Sequence, residues 1–154
     1  MMEEIRSTLG NSKLLELPKT AFLASSTIPS DMVLRCYDWA QKMAIGGQCV
    51  ISGFSSHLEK NVLHFLLRGN CPIIIVLARS LYKNVPAELK PLIDNGRLLI
   101  VSVSQSPRQS RATAFTRNRY ICEQAESIVM VGASSGSSLY ALREEFDAKV
   151  LGVW

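Results

Sequence analysis

Six short runs of nearly continuous apolar residues recur along the chain, each separated from the next by a longer stretch of mixed polarity. They are Thr20 to Ser25, Gln48 to Ser52, Pro72 to Ala78, Arg97 to Val103, Ser127 to Val131 and Lys149 to Val153. A strand with one wet face alternates apolar and polar side chains. A strand covered on both faces reads as an unbroken apolar run, because alternate side chains enter two different buried layers. The intervening stretches, Ser30 to Ile45, His57 to Arg68, a shorter piece near Pro86 to Asp94, Thr113 to Ala125 and Ser137 to Phe146, read as helices. Alternating strands and helices with short joints imply right-handed crossovers. The expected fold is therefore α/β, a doubly wound parallel sheet of about six strands with helices on both faces.

The punctuation agrees with these boundaries. Gly46-Gly47, Gly69-Asn70 and Asn95-Gly96 each follow a helical stretch, where a left-handed residue ends the last turn. Ser56-His57-Leu58-Glu59 has the capping-box pattern, in which a hydroxyl and a carboxylate satisfy each other's orphan amides. Pro91 interrupts the piece near Pro86 to Asp94, so two short turns are expected there. Residues 3–16 are read as an additional leading helix, with Ile5, Leu9 and Leu14 or Leu15 against the body. This gives an extension over 1–19 and one folded unit over 20–154.

At 154 residues the chain is long enough for one ordinary core, and 47% hydrophobic with 19% charged residues suits a folded protein rather than a disordered one. The longest purely apolar stretch, Ile73 to Ala78, is far below the roughly 20 residues of a membrane helix. Met1-Met2-Glu3-Glu4 leads into no apolar segment, so neither a membrane association nor a secretory signal is expected and the protein is read as cytoplasmic. Cys36, Cys49, Cys71 and Cys122 form no C-x-x-C pair and read as buried free thiols. His57 and His64 lie near one face of a helix but lack a third convergent ligand, so no metal site and no cofactor is expected.

Between Asn95 and Cys122 stand five arginines, Arg97, Arg108, Arg111, Arg117 and Arg119, and no acid. The chain carries 17 basic and 13 acidic residues, so this segment sets its sign and points to a local anion site. In doubly wound sheets ligands lie beyond the carboxyl ends of the strands. The segments there are Ser25-Ser26-Thr27-Ile28-Pro29, Gly53-Phe54-Ser55-Ser56, Arg79-Ser80 and Gly132 to Ser138, rich in small and hydroxyl residues whose amides and hydroxyls suit phosphate oxygens. Turn and cap formation explains the same composition for any single loop. The dinucleotide fingerprint and the Walker lysine motif are both missing. Phe54 and Phe115 flank the expected site, where their rings can stack a base.

Phe115-Thr116-Arg117-Asn118-Arg119-Tyr120-Ile121, the strand Ser127 to Val131 and the loop Ser135-Gly136-Ser137-Ser138-Leu139 resemble the Rossmann-like domain of the DNA-processing protein A (DprA, or Smf) family. Ser52-Gly53-Phe54 is similar to that family's serine-glycine turn, and Asn95-Gly96-Arg97-Leu98-Leu99 to its glycine-led fourth strand. The resemblance spans residues 20–154. It implies a single-stranded nucleic acid or nucleotide-like ligand, a homodimer, and a phosphate pocket formed by Ser52, Gly53, Arg117, Asn118, Ser135, Gly136 and Ser137. Arg111 and Arg119 are expected to contribute from the same cluster.

Two departures narrow that expectation. The family's glycine-serine-arginine turn is here Ala24-Ser25-Ser26, without its arginine, and its A-R-G-I-D segment is Ser55-Ser56-His57-Leu58-Glu59. The reading is therefore restricted to the binding core, without recombinase loading. The chain is also similar to nucleotide phosphoribohydrolases, whose P-G-G-x-G-T-x-x-E loop ends in the glutamate that serves the chemistry. Here Tyr140 occupies that place, and a phenol supplies no carboxylate near neutral pH. A non-catalytic binding module is expected, with a nucleotide-binding or nucleotide-hydrolysing enzyme and a ligand-free interaction scaffold as alternatives.

Overall fold

Alternate residues of the central strands enter two separate cores, which is the physical origin of the unbroken apolar runs. In the computed structural model, which describes residues 7–153, Phe22, Val50, Ile73, Ile75 and Ile100 face one layer. Leu23, Ile51, Ile74, Val76 and Val101 face the other. The strands are β1 (Ser7–Gly10), β2 (Lys19–Ala24), β3 (Cys49–Ser52), β4 (Ile73–Leu77), β5 (Leu98–Ser102), β6 (Ser127–Val131) and β7 (Val150–Val153). The helices are α1 (Ser30–Gly46), α2 (His57–Leu67), α3 (Lys90–Asp94), α4 (Arg111–Gln124) and α5 (Tyr140–Glu145). Cys36, Ala40, Leu58, Val62 and Leu66 of α1 and α2 cover the first layer. Tyr120, Ile121 and Leu142 of α4 and α5 cover the second.

The sheet order is β1-β5-β4-β3-β2-β6-β7. Every pairing is parallel apart from β1 against β5. From β2 the chain steps outward through β3, β4 and β5, returns across the sheet by α4, and continues on the other side with β6 and β7. The direction of winding reverses between β2 and β6, and in this architecture loops diverge there and open a crevice.

The leading segment corrects one expectation. Residues 7–10 form an edge strand rather than a helix, pairing Ser7 with Ser102 through Gly10 with Leu99, and Ser12–Glu16 follows as a 3-10 turn. Residues 3–6 lie outside the described residues. The sheet therefore has seven strands rather than about six. Most local signals and the structure coincide: Gly47 closes α1 at φ 76°, the Ser56–Glu59 capping box is formed, and the Pro91 region is a 3-10 turn (Ala87–Leu89) followed by α3. Gly69-Asn70 is the exception, since neither residue is left-handed and Gly69 instead lies where a Cβ would sit 2.2 Å from Ala44 O. Trp39 stacks on Phe22 with ring centroids 5.1 Å apart, as a core residue. All four cysteines are free and buried, and burial pushes the Cys49 and Cys122 thiols up to about 12.

Candidate nucleic-acid interface

The reversal point carries a cleft of about 540 Å³ lined by Ser25, Ser26 and Thr27 after β2 and by Gly132, Ser134, Gly136, Ser137 and Ser138 after β6. The two loops touch directly. Ser25 N–H donates to Val131 O at 3.0 Å. A Cβ on Gly132 would lie 2.2 Å from Ser25 Oγ, and its φ of +74° already favours glycine. The β6 loop turns on Ser137 N–H to Ser134 O at 2.8 Å, with Ser137 Oγ accepting from Leu139 N–H at 3.1 Å. Gly136 faces open space. Ser135 is exposed on the same loop. Hydroxyls and free backbone groups thus dominate this cleft, and among the described residues no basic side chain lines it.

Two strands along, the turn after β3 is built differently. Ser52 is fully buried, and its Oγ accepts from Phe54 N–H at 3.1 Å. Gly53 lies flat against the Arg117 guanidinium, where a Cβ would sit 2.4 Å from Nη1. Arg117 is only 3% exposed. Its Nε donates to Asn118 Oδ1 at 2.7 Å and its Nη2 to Ser55 Oγ at 3.2 Å. Burial pulls the Arg117 pKa down and the nearby Glu59 carboxylate pulls it back up, so the cation is held charged by a specific partner.

Glu59, read in the sequence as a cap, also joins the two loops. One oxygen accepts from Ser55 N–H at 2.9 Å and Ser56 N–H at 3.2 Å, while the other accepts from Ala24 N–H at 2.9 Å. The residue is 4% exposed. A buried carboxylate with three amide donors and a guanidinium close by is a satisfied anion, and it ties the end of β2 to the β3 turn. The capping-box spacing signalled the local half of this arrangement. Nothing local signalled the Ala24 amide.

The expected single cradle is therefore two adjacent features. Arg117, Asn118, Ser52 and Gly53 are brought together; Gly136 and Ser137 line the hydroxyl cleft. Arg119 is not part of either, since its Nη1 donates to Glu123 Oε1 at 2.9 Å, its Nη2 pairs with Glu145, and its guanidinium lies over the Phe146 ring. Two residues along a helix are rotated by about 200°, which sends Arg117 and Arg119 to different faces. Arg97 donates to Leu66 O and Cys71 O, both at 3.1 Å, and serves the fold. Arg111 opens α4 on the exposed surface, near an exposed Arg108. Phe115 is 40% exposed, whereas Phe54 is 5% exposed and packs in the core, so its ring does not stand free on the rim as expected.

The hydroxyl of Tyr140, hydrogen-bonded to Glu144, has its pKa raised by that bond, so the phenol at the position of the hydrolases' glutamate stays protonated. Among the described residues no group of three or more His, Cys, Asp or Glu side chains is placed to hold a metal ion. No helix of the described residues is long and apolar enough to cross a membrane.

A seven-stranded doubly wound sheet of this kind offers its ligand crevice beyond the carboxyl ends of the strands, where the strand order reverses. Residues 7–143 match the family described as DNA recombination-mediator protein A, and the chain belongs to that family. Two solved structures share the fold. The DNA processing protein A of Helicobacter pylori, whose structure describes a mode of single-stranded DNA binding, aligns with a TM-score of 0.70 at 18% identity, over 93% of this chain and 68% of that one. The protein of the same name from Streptococcus pneumoniae aligns with a TM-score of 0.73 at 19% identity, over 93% of this chain and 52% of that one. No curated protein is similar enough in sequence to count as a relative.

Proposed function

We propose that this domain is a non-catalytic binder of single-stranded DNA that grips the strand by its phosphates along the rim formed by the β2, β3 and β6 loops. The observation that carries this reading is the hydroxyl-lined crevice at the reversal point, set beside a turn into which Arg117 is locked. Ser26, Thr27, Ser134 and Ser138 offer donors to phosphate oxygens, and the open space at Gly136 lets backbone approach the ligand closely. Arg108 and Arg111 project into solvent at the start of α4, which leaves the sheet at this same rim, and add long-range attraction. Family membership and the fold shared with the Helicobacter pylori protein support the same ligand. The reading extends to a homodimer, for which the exposed Leu34, Ile45 and Leu151 leave apolar surface available. Sedimentation velocity across a concentration series checks that part.

A fluorescence-anisotropy titration with a labelled single strand, competed by duplex and by mononucleotides at two ionic strengths, tests the ligand. Affinity should fall with salt by about 0.7 in log–log slope per neutralised phosphate, and duplex should compete poorly. A salt-independent Kd, or equal competition by duplex, overturns the reading. Competition by mononucleotide at stoichiometric concentration moves it to a nucleotide ligand.

A further inference from the structure

The opposite end of the sheet carries a cavity that the rim does not use. β2, β3 and β6 are adjacent and parallel, so their first residues gather at one end. The five steps of β2, at roughly 3.3 Å each, put that end about 17 Å from the carboxyl ends of the strands. There three joints enclose about 380 Å³: residues 17–20 entering β2, 47–49 entering β3, and 126–127 entering β6. The joints are pinned to one another. Glu126 N–H donates to Lys19 O at 2.8 Å, and the Thr20 and Ser127 hydroxyls lie 3.2 Å apart across the β2–β6 ladder. Gly47 leaves open space where a Cβ would stand.

Lys19 is the unusual member of this wall. It is 6% exposed, and its Nζ donates to Leu15 O at 2.8 Å and to Leu17 O at 2.9 Å, carbonyls at the end of the 3-10 turn before β2. Capping that turn accounts for two donors. An ammonium has three, and among the described residues the third has no partner and no carboxylate makes an ion pair with it. Burial pulls the Lys19 pKa down, against the opposing pull of Cys49 and Glu126. The Cys49 thiol is itself pushed up to about 12 by burial, so it is neutral near pH 7. Glu126, exposed at the mouth, is then the anion that shares the cavity with the buried cation. A buried charge without a close partner is costly, and a ligand carboxylate supplies one.

We propose that this cavity is a separate ligand site for a free α-amino acid with an apolar side chain, whose carboxylate accepts from the third Lys19 donor and whose ammonium donates to Glu126. Opposite charges that line one cavity without closing into a salt bridge match a zwitterion, which carries its own two charges a fixed short distance apart. The Thr20 and Ser127 hydroxyls and the exposed Gln48 amide offer further bonds to the carboxylate. Leu17 is 38% exposed and stands with Pro18 on the same wall, apolar surface that an aliphatic side chain covers. Small-molecule sites run from about 300 to 1,000 Å³, and a cavity near the lower end of that range suits a ligand of amino-acid size rather than an oligonucleotide. The site stands apart from the single-strand rim, and neither needs the other.

The full chain is screened by thermal melting against the standard L-amino acids at millimolar concentration. Each one that raises the melting temperature is titrated by calorimetry beside its C-terminal amide and its N-acetyl derivative. An aliphatic amino acid should bind with single-site stoichiometry, and either derivative about ten-fold more weakly, because each has lost one charge. Lys19→Met should abolish binding. Glu126→Gln, at an exposed position outside the core, should weaken it about ten-fold in a protein that melts like wild type, which keeps the test decisive if Lys19→Met fails to fold. In heteronuclear NMR the amide signals of Gln48 and Ser127 should shift on titration while those of Ser134 to Ser137 stay still. Failure of every amino acid to bind, binding confined to polar side chains, undiminished binding of the amide or the N-acetyl form, unchanged affinity in Glu126→Gln, or shifts confined to the β6 loop each overturn the proposal.

Discussion

The loop after β6 and the turn after β3 both lie at the carboxyl ends of the strands, where binding is proposed, yet they are opposite kinds of structure. The β6 loop is open and uncharged, with Ser134, Ser135 and Gly136 exposed and Gly136 facing empty space. The β3 turn is closed and ionic: Ser52, Gly53, Glu59 and Arg117 are buried, and both backbone amides of the Ser55–Ser56 entry to α2 find the Glu59 carboxylate. An exposed loop can reorganise around a phosphate at little cost. A buried carboxylate held by amide donors near a buried guanidinium cannot, because moving either group leaves a charge uncompensated in a low-dielectric interior. The comparison separates a grip from the frame that positions it, and assigns Arg117 chiefly to the frame.

Glu59→Ala should break this frame most severely. It strands the Arg117 guanidinium and frees three amides, so a destabilisation of about 3–5 kcal/mol is expected in urea denaturation. A loss below about 1 kcal/mol would show that the node is not structural. Gly132→Ala acts on the join between grip and frame. The added Cβ meets Ser25 Oγ and the backbone is left-handed, so about 1–3 kcal/mol should be lost, together with most of the affinity for a labelled single strand. Retained affinity in a stably folded Gly132→Ala protein would remove the β2/β6 crevice from the site.

The smallest effects sharpen the comparison most. Arg111→Ala should leave the melting temperature unchanged and lower the salt slope by about 0.7, the contribution of one single-strand phosphate. Arg119→Ala should do the reverse, changing stability by less than about 1 kcal/mol through its partly exposed pairs with Glu123 and Glu145 while the slope stays constant. A shift of the slope in the Arg119 variant would return that residue to the interface.

Much of the fold was legible because it is written in neighbouring residues. The two-sided strands follow from unbroken apolar runs, α2 begins where the Ser56–Glu59 spacing says, and Pro91 splits its region as a missing amide requires. β1 was misread because Ser7–Gly10 is an exposed edge with one neighbour, so Leu9 and the later leucines resemble a helical face better than a strand. The site was legible as a set of loops and a cluster of cations, but not as a geometry. Arg97, Arg117 and Arg119 look equivalent along the chain; one ties the end of α2 to the loop at Cys71, one is locked under Gly53, and one faces α5. Phe54 looked like a rim aromatic and lies in the core because its backbone turns left-handed.

By itself the sequence determined the layering, the helix ends and the composition of the rim, since these depend on periodicity and on contacts within a few residues. Only the tertiary structure decided which rim groups are free to meet a ligand. Ala24 and Glu59 are 35 positions apart, and Ser55 and Arg117 are 62 apart. Such bonds exist only after the sheet order has placed β2, β3 and α4 side by side, and it is burial in that assembled place that turns an arginine from a surface cation into part of the scaffold.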